Sequence, residues 1–106
     1  MVKRGEIWLV NLDPTIGSEI QKARPCVVIS PPEMHNYLRT EIVAPMTTGS
    51  PPAPFRIAVR HGGKQGLILL DQMRAIDKAR LVKRSGAITP GTLKATLAAL
   101  AEVFAE

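Results

Sequence analysis

The chain has 106 residues and a formal net charge of +5 at neutral pH, from 14 Lys and Arg against 9 Asp and Glu. This length predicts a single domain, residues 1–106, with enough buried surface to fold without disulfides or a structural metal. The one cysteine, Cys26, excludes an internal disulfide framework, and with two histidines it cannot supply the usual ligands of structural zinc. Without a bilayer-spanning apolar run or a signal-peptide core, the chain is expected in the cytoplasm.

Positive charge is concentrated in one part of the chain. Residues 56–84 carry eight Lys and Arg and two Asp, whereas residues 1–55 are balanced and residues 85–106 are slightly acidic. A basic band of this kind suits a polyanion such as nucleic acid, or an acidic protein partner. A basic face that is merely solvated accounts for the charge equally well.

Short apolar runs separated by turn residues predict a series of strands closed by one helix. The continuous apolar character of residues 25–30 indicates a strand buried on both faces, or on one face of a small barrel. Pro45 cannot donate a ladder hydrogen bond, so its strand is expected at a sheet edge or with a bulge. In chain order we predict strands at 6–12, 25–30, 41–48, 55–60, 66–76 and 80–83, one helical turn at 33–38, and a turn at 61–64.

The hydrophobic period changes after Thr89, which is a suitable N-cap, and Pro90 fits the first helical position. Four apolar residues then follow at the spacing of one stripe of an amphipathic helix, namely Leu93, Leu97, Leu100 and Phe104. We therefore predict a mainly β fold with α, a small curled antiparallel β-barrel with a C-terminal helix packed on it.

The sequence lacks the usual catalytic motifs. It contains no phosphate-binding P-loop, dinucleotide fingerprint or zinc-protease motif, and its scattered carboxylates show no two-metal nuclease centre. A protein of this kind that cuts phosphodiesters is expected to do so without a metal. That restricts the substrate to RNA, because the RNA 2′-OH is an internal nucleophile that DNA lacks.

Two places can contact a phosphate. Pro25 forces Arg24 into an extended conformation at the exit of a polar loop, where a guanidinium can grip a phosphate or simply pair with Glu19. Thr47 and Thr48 end a strand, and their hydroxyls either bind a phosphate oxygen or only terminate the strand.

Other polar and aromatic residues give weaker signals. Asp71 and Gln72 interrupt an apolar strand, as a satisfied internal pair or as a pair that reads bases. Trp8 is expected in the core, His61 in a turn, and Cys26 as a buried, inert thiol.

Several segments together resemble one protein family. The opening RGEIWLVNLDPTIGSE at residues 4–19 is followed, in order, by RPCVVIS at 24–30, VAPMTT at 43–48, PF at 54–55 and LDQMRAID at 70–77. This ordered set covers nearly the whole chain and strongly resembles the MazF/PemK family of toxin endoribonucleases.

The resemblance implies a toxin of a type II toxin–antitoxin pair, with the SH3-like barrel shared by the Kid and CcdB toxins, acting as a homodimer. Such a toxin cleaves single-stranded messenger RNA at short sequences and inhibits growth. The implied reaction is attack by the 2′-OH, which leaves 2′,3′-cyclic phosphate and 5′-OH ends and needs no metal or other cofactor. The implied partner is an acidic antitoxin that competes with RNA for the basic face, and DNA is reached only indirectly through it.

The resemblance also assigns roles to residues. The arginine of the Arg-Pro pair and the first threonine of the Thr-Thr pair carry catalysis in the family, which implies these roles for Arg24 and Thr47. Glu19, in the matching loop, is expected to help proton transfer or order the loop. Asp71 matches an acid or base of some relatives, but its helper arginine is Leu69 here, so a structural or RNA-contacting role is expected. The positions expected to bind RNA are Gly17, Ser18, Thr48, Arg56, Gln72, Arg74, Lys78 and Arg80.

Two alternative functions stay open. A CcdB-like toxin acts on gyrase without nuclease activity, although the C-terminal sequence EVFAE lacks the expected terminal pattern. A basic β-barrel can also bind nucleic acid without catalysis. The enzyme requires Arg24 and Thr47 to face one another across a groove, and it is excluded if they point apart or are buried.

Overall fold

The structure, a computed structural model, describes residues 2–12 and 22–106. These residues form a sheet with strand order β4-β5-β3-β2-β1-β7, in which β6 also pairs with β3 and all pairs are antiparallel. The curled sheet and C-terminal helix confirm the predicted fold class. The elements in chain order are β1 (Glu6–Asn11), β2 (Ala23–Val28), α1 (Pro32–Tyr37), β3 (Thr40–Thr47), β4 (Arg56–His61), β5 (Lys64–Leu69), a 3₁₀ turn (Leu70–Gln72), β6 (Arg74–Asp77), a second 3₁₀ turn (Lys78–Arg80), β7 (Leu81–Ala87) and α2 (Pro90–Val103).

β3 lies in the middle of the sheet, so of the two alternatives expected at Pro45, a sheet edge or a bulge, the sheet edge is wrong. One side of β3 pairs with β2, and the other pairs first with β6 and then with β5. The backbone groups of Ile42 face the β2 side, where its carbonyl accepts from Ile29 N. The backbone groups of successive residues point alternately to the two neighbouring strands. The Pro45 nitrogen therefore points away from β2, to the gap between β6 and β5.

The predicted long strand at 66–76 is interrupted at this gap. Ile68 of β5 lies opposite Met46, and Arg74 of β6 lies opposite Val43. Five residues, 69–73, therefore stand opposite only two residues of β3. The partner chain leaves the ladder as a 3₁₀ turn where the proline offers no N–H donor.

The interior has two apolar clusters, one on each face of the sheet. Val27 belongs to the first, whereas Cys26 and Val28 belong to the second. All three are fully buried. The prediction that this strand is buried on both faces is therefore confirmed.

Helix α2 covers the first cluster. Its N-cap is as predicted, because Thr89 Oγ1 accepts from Thr92 N at 3.1 Å and Pro90 begins the helix. Thr96 is fully buried and donates its hydroxyl to the Thr92 carbonyl, which satisfies it. Phe104 lies beyond the helix and is 70% exposed, so its predicted place in the packed stripe is wrong. No helix of the described residues is long and apolar enough to cross a membrane.

The β4–β5 hairpin closes as predicted at residues 61–64. Gly62 and Gly63 have φ of 60° and 76°, the left-handed values that a two-residue type I′ turn requires. Further along β5, Gly66 passes close to the end of β3, where a Cβ would lie 2.7 Å from the Thr47 carbonyl oxygen. A side chain is therefore excluded at this crossing.

An ion pair holds the first 3₁₀ turn to the start of β4. The Arg56 guanidinium donates Nε to Asp71 Oδ1 at 3.2 Å and Nη2 to Oδ2 at 3.0 Å, and its Nη1 donates to the Pro51 carbonyl at 2.9 Å. The hydrogen bonds from Arg56 lower the pKa of Asp71. Asp71 thus has a structural partner, in agreement with its expected structural role.

We expect Gly66→Ala to lower the free energy of unfolding by about 1–3 kcal/mol, because the new methyl group must displace the backbone of β3. Gly49→Ala is the matched control, since an added Cβ there meets nothing within 4 Å. Its effect is expected within about 0.5 kcal/mol. Urea unfolding of both variants measures the difference, and equal stabilities would contradict the close approach of β5 to β3.

We expect Asp71→Asn to destabilise the fold at neutral pH, because it removes the charge that Arg56 binds. The folded-state pKa of Asp71 is lowered, so its stabilisation is present above the unfolded pKa of about 3.9 and is lost as the pH falls through the folded value. Urea unfolding of both proteins at neutral pH and near pH 2 tests this. A stability difference that does not shrink in acid would contradict the ion pair.

Candidate active site

A cavity of about 270 Å³ lies where the beginning of β2, the end of β3 and the β4–β5 hairpin meet. Its wall combines two cations, two threonines and one histidine with small and apolar residues. The lining residues are Arg24, Pro25, Met46, Thr47, Thr48, Val59, His61, Lys64 and Gly66.

β2 positions Arg24 at this cavity. Arg24 lies opposite Val10 in the β1–β2 ladder and Pro25 lies opposite Leu9. The Arg24 side chain is exposed, whereas the next residues along β2 enter the core. The guanidinium therefore lies at the exposed beginning of β2, and the strand then continues into the core.

The last residue of β3 places Thr47 on the same cavity. Thr47 lies opposite Leu67 of β5, and its hydroxyl oxygen accepts from Gly49 N at 3.3 Å. The hydroxyl proton remains able to donate to a ligand. Arg24, Thr47 and Thr48 thus line one cavity.

The hairpin contributes two residues that the sequence did not single out for this site. His61 and Lys64 face each other as the last pair of the β4–β5 ladder, and both line the cavity. His61 is both the final residue of β4 and the first residue of the predicted turn at 61–64. The Gly-Gly turn fixes this pair, but only the tertiary fold brings it beside Arg24.

The His61 ring is held from β7. Its Nε2 lies 2.9 Å from Ser85 Oγ. The adjacent Gly86 has φ of 148°, and a Cβ there would lie 3.3 Å from His61 Cε1. β7 thus supplies a hydroxyl that hydrogen-bonds the imidazole and, at Gly86, leaves space for the ring because glycine has no side chain.

Among the residues that the structure describes, the others expected to bind RNA do not line this cavity. Arg56 is engaged by Asp71, and Gln72 is half-buried in the same 3₁₀ turn. Three further cations donate to main-chain carbonyls: Arg74 Nη1 to Leu12 O at 3.2 Å, Lys78 Nζ to His35 O at 2.5 Å, and Arg80 Nη1 to Asn11 O at 3.1 Å. Gly17, Ser18 and Glu19 lie outside the described residues.

Two buried ionisable groups lie away from the cavity. Burial raises the pKa of the Cys26 thiol to about 12, against a smaller opposing effect of Arg74, which agrees with its expected inertness. Burial also raises the pKa of Glu41, which is fully enclosed. Within residues 2–12 and 22–106, no three His, Cys, Asp or Glu side chains are grouped as metal ligands.

Comparisons with known proteins identify the family. The model of the PemK-like, MazF-like toxin of type II toxin–antitoxin systems matches residues 3–104. The endoribonuclease PemK of Escherichia coli is 40% identical over 78% of this chain and 67% of that protein. The endoribonuclease toxin MazF of Escherichia coli K12 is 34% identical over 85% of this chain and 82% of that protein.

A solved structure shows the same fold. MazF of Deinococcus radiodurans superposes with a TM-score of 0.83 at 22% identity, over 96% of this chain and 94% of that one. A mycobacterial endoribonuclease solved in complex with its cognate antitoxin has a TM-score of 0.81 at 20% identity, over 96% of this chain and 93% of that one. The match of the family model over nearly the whole chain, together with these relatives, shows that the protein belongs to the PemK-like, MazF-like toxins of type II toxin–antitoxin systems.

Proposed function

We propose that this toxin is a metal-independent endoribonuclease that cleaves single-stranded messenger RNA at specific short sequences and thereby inhibits translation and growth. The reaction is attack of the 2′-OH on the adjacent phosphorus, which leaves a 2′,3′-cyclic phosphate and a 5′-OH. The observation that carries the proposal is the convergence of Arg24 and Thr47 on one open cavity. The curated relatives named above are endoribonucleases, which favours this reaction over a CcdB-like action on gyrase.

Arg24 stabilises the charge that builds up on the phosphorus oxygens. An arginine side chain stays charged at all accessible pH values, so it is a poor base but an effective partner for a dianionic phosphorane. The pairing of Arg24 with Val10 in the β1–β2 ladder positions this charge before the substrate arrives. Electrostatic stabilisation of a transition state depends on such preorganisation.

Thr47 orients the scissile phosphate. Its hydroxyl oxygen already accepts from Gly49 N, so the hydroxyl proton points to another acceptor. A phosphate oxygen in the cavity is such an acceptor. Thr48 lines the same wall and is proposed to contact the neighbouring part of the RNA strand.

The basic band at residues 56–84 is proposed to bind both RNA and an acidic antitoxin. Its excess of positive charge suits either polyanion. A fold neighbour is known in complex with its cognate antitoxin. The toxin is proposed to act as a cytoplasmic homodimer, and its contact with DNA is proposed to be indirect, through the antitoxin.

We expect Arg24→Ala to lower kcat/KM for cleavage of a long single-stranded RNA by a factor of at least ~10²–10³, because it removes the charge contact to the transition state. The assay contains excess EDTA and separates fragments on a denaturing gel. Arg39→Ala is the matched control, since it removes an exposed arginine from the other end of β3. It is expected to cleave within about threefold of the wild type.

The control is circular dichroism and urea unfolding of Arg24→Ala, which are expected to show that the variant keeps the fold. Cleavage by this folded variant at the wild-type rate would remove Arg24 from the mechanism. Intact RNA with the folded wild-type protein in EDTA would overturn the proposed metal-independent nuclease. Fragments from the wild type are expected to carry 5′-OH ends, which polynucleotide kinase labels without prior dephosphorylation.

A further inference from the structure

His61 is a positioned imidazole in the cavity and has no part in the mechanism described so far. His61 lines the same cavity as Arg24 and Thr47. Ser85 holds Nε2, and Gly86 leaves room for the ring edge. Two elements that are distant in sequence, β4 and β7, therefore fix this ring at the candidate site.

The cavity otherwise lacks a proton acceptor among its described lining residues. Arg24 and Lys64 carry only donors, and the hydroxyls of Thr47 and Thr48 do not take up a proton near neutral pH. Attack by a 2′-OH requires removal of its proton. Imidazole is the side chain whose ordinary charge change lies between pH 5 and 8, which suits it to that task.

The hydrogen bonding of the ring fits this role. When Nε2 donates to Ser85 Oγ, the lone pair lies on Nδ1. Within the described part of the chain, Nδ1 has no hydrogen-bond partner. The bond to Ser85 persists when Nδ1 gains a proton, because both nitrogens of the imidazolium are donors.

We propose that His61 is the general base of RNA cleavage and accepts the proton of the attacking 2′-OH on Nδ1; this rests on the proposed function. The 2′ oxygen forms its bond to phosphorus while the bond from phosphorus to the 5′ oxygen breaks. The leaving 5′ oxygen takes a proton from water, and the resulting hydroxide recovers the proton held by His61. The products are the cyclic phosphate, the 5′-OH and the original imidazole.

The charged groups near His61 come from three neighbouring elements. Lys64 of β5 and Arg24 of β2 line the cavity with it. On β7, Arg84 is adjacent to Ser85 but donates Nε to Glu6 Oε2 at 2.7 Å. Arg60 precedes His61 on β4 and is exposed. The pH dependence of catalysis is therefore measured at constant ionic strength, so that screening of these charges does not vary.

The first experiment compares the wild type with His61→Gln over pH 5–9 in EDTA, using one short RNA that contains a single cleavage site. For the wild type, kcat/KM is expected to rise with pH up to a break, above which the general base is fully deprotonated. For His61→Gln, kcat/KM is expected to be lower by a factor of ~10²–10⁴ and to lack this rise. Affinity for the same RNA with a 2′-deoxy cleavage site is expected to be unchanged, which shows that the variant is folded.

Two further measurements separate a base from an acid and from a purely structural residue. An RNA with sulfur in place of the 5′ bridging oxygen needs no acid, so the defect of His61→Gln is expected to persist on it. Added imidazole is expected to restore cleavage by His61→Ala. Ser85→Ala, which loosens the ring, is expected to lower kcat moderately and to keep the pH break.

Each contrary result overturns the proposal. Wild-type rates with an unchanged pH rise in His61→Gln would place the base elsewhere while leaving the nuclease function intact. Recovery of the wild-type rate on the 5′-thio substrate would make His61 an acid. Failure of imidazole to rescue His61→Ala, with RNA affinity retained, would make its role structural. Absence of cleavage by the wild type would instead remove the proposed function itself.

Discussion

Pro45, which has no N–H to donate, lies where the long partner strand of β3 divides in two. Its nitrogen lies on the side of β3 where two partner strands meet, and the partner chain crosses that point as a 3₁₀ turn rather than as a ladder. The turn divides one long strand into β5 and β6. β5 is thereby free to follow the end of β3, and its hairpin brings His61 and Lys64 to the cavity that Thr47 lines.

The basic residues of this chain stabilise the fold as well as making the chain positively charged. Arg74 and Arg80 donate to the carbonyls of Leu12 and Asn11, at the end of β1, and Lys78 donates to the carbonyl of His35. Each of these side chains thus satisfies a main-chain acceptor. Burial raises the pKa of Glu6, but hydrogen bonds from Lys3, Trp8 and Arg84 outweigh burial and lower it overall.

Local patterns predicted the elements, whereas the site depended on contacts between them. The N-cap at Thr89 and the turn at residues 61–64 follow from capping and glycine chemistry, and the structure has both. The sheet edge expected at Pro45 is wrong because the sequence cannot show that one side of a central strand pairs with two successive strands. The resemblance pointed to Arg24 and Thr47, but their shared cavity arises from the register of three strands. His61 was missed for the same reason, since its partner Ser85 is 24 residues away.

The enclosure of Cys26 gives the protein an intrinsic reporter of its own opening. Burial raises the pKa of this thiol to about 12, which keeps it protonated at neutral pH, and only the thiolate reacts rapidly with disulfides and alkylating agents. Cys26 is also fully buried, between β1 and β3. Because the chain has a single cysteine, its labelling under native conditions records opening of the second apolar cluster, which encloses it. The rate of thiol labelling can thus measure local opening of the part of the fold that carries Arg24, without an introduced probe.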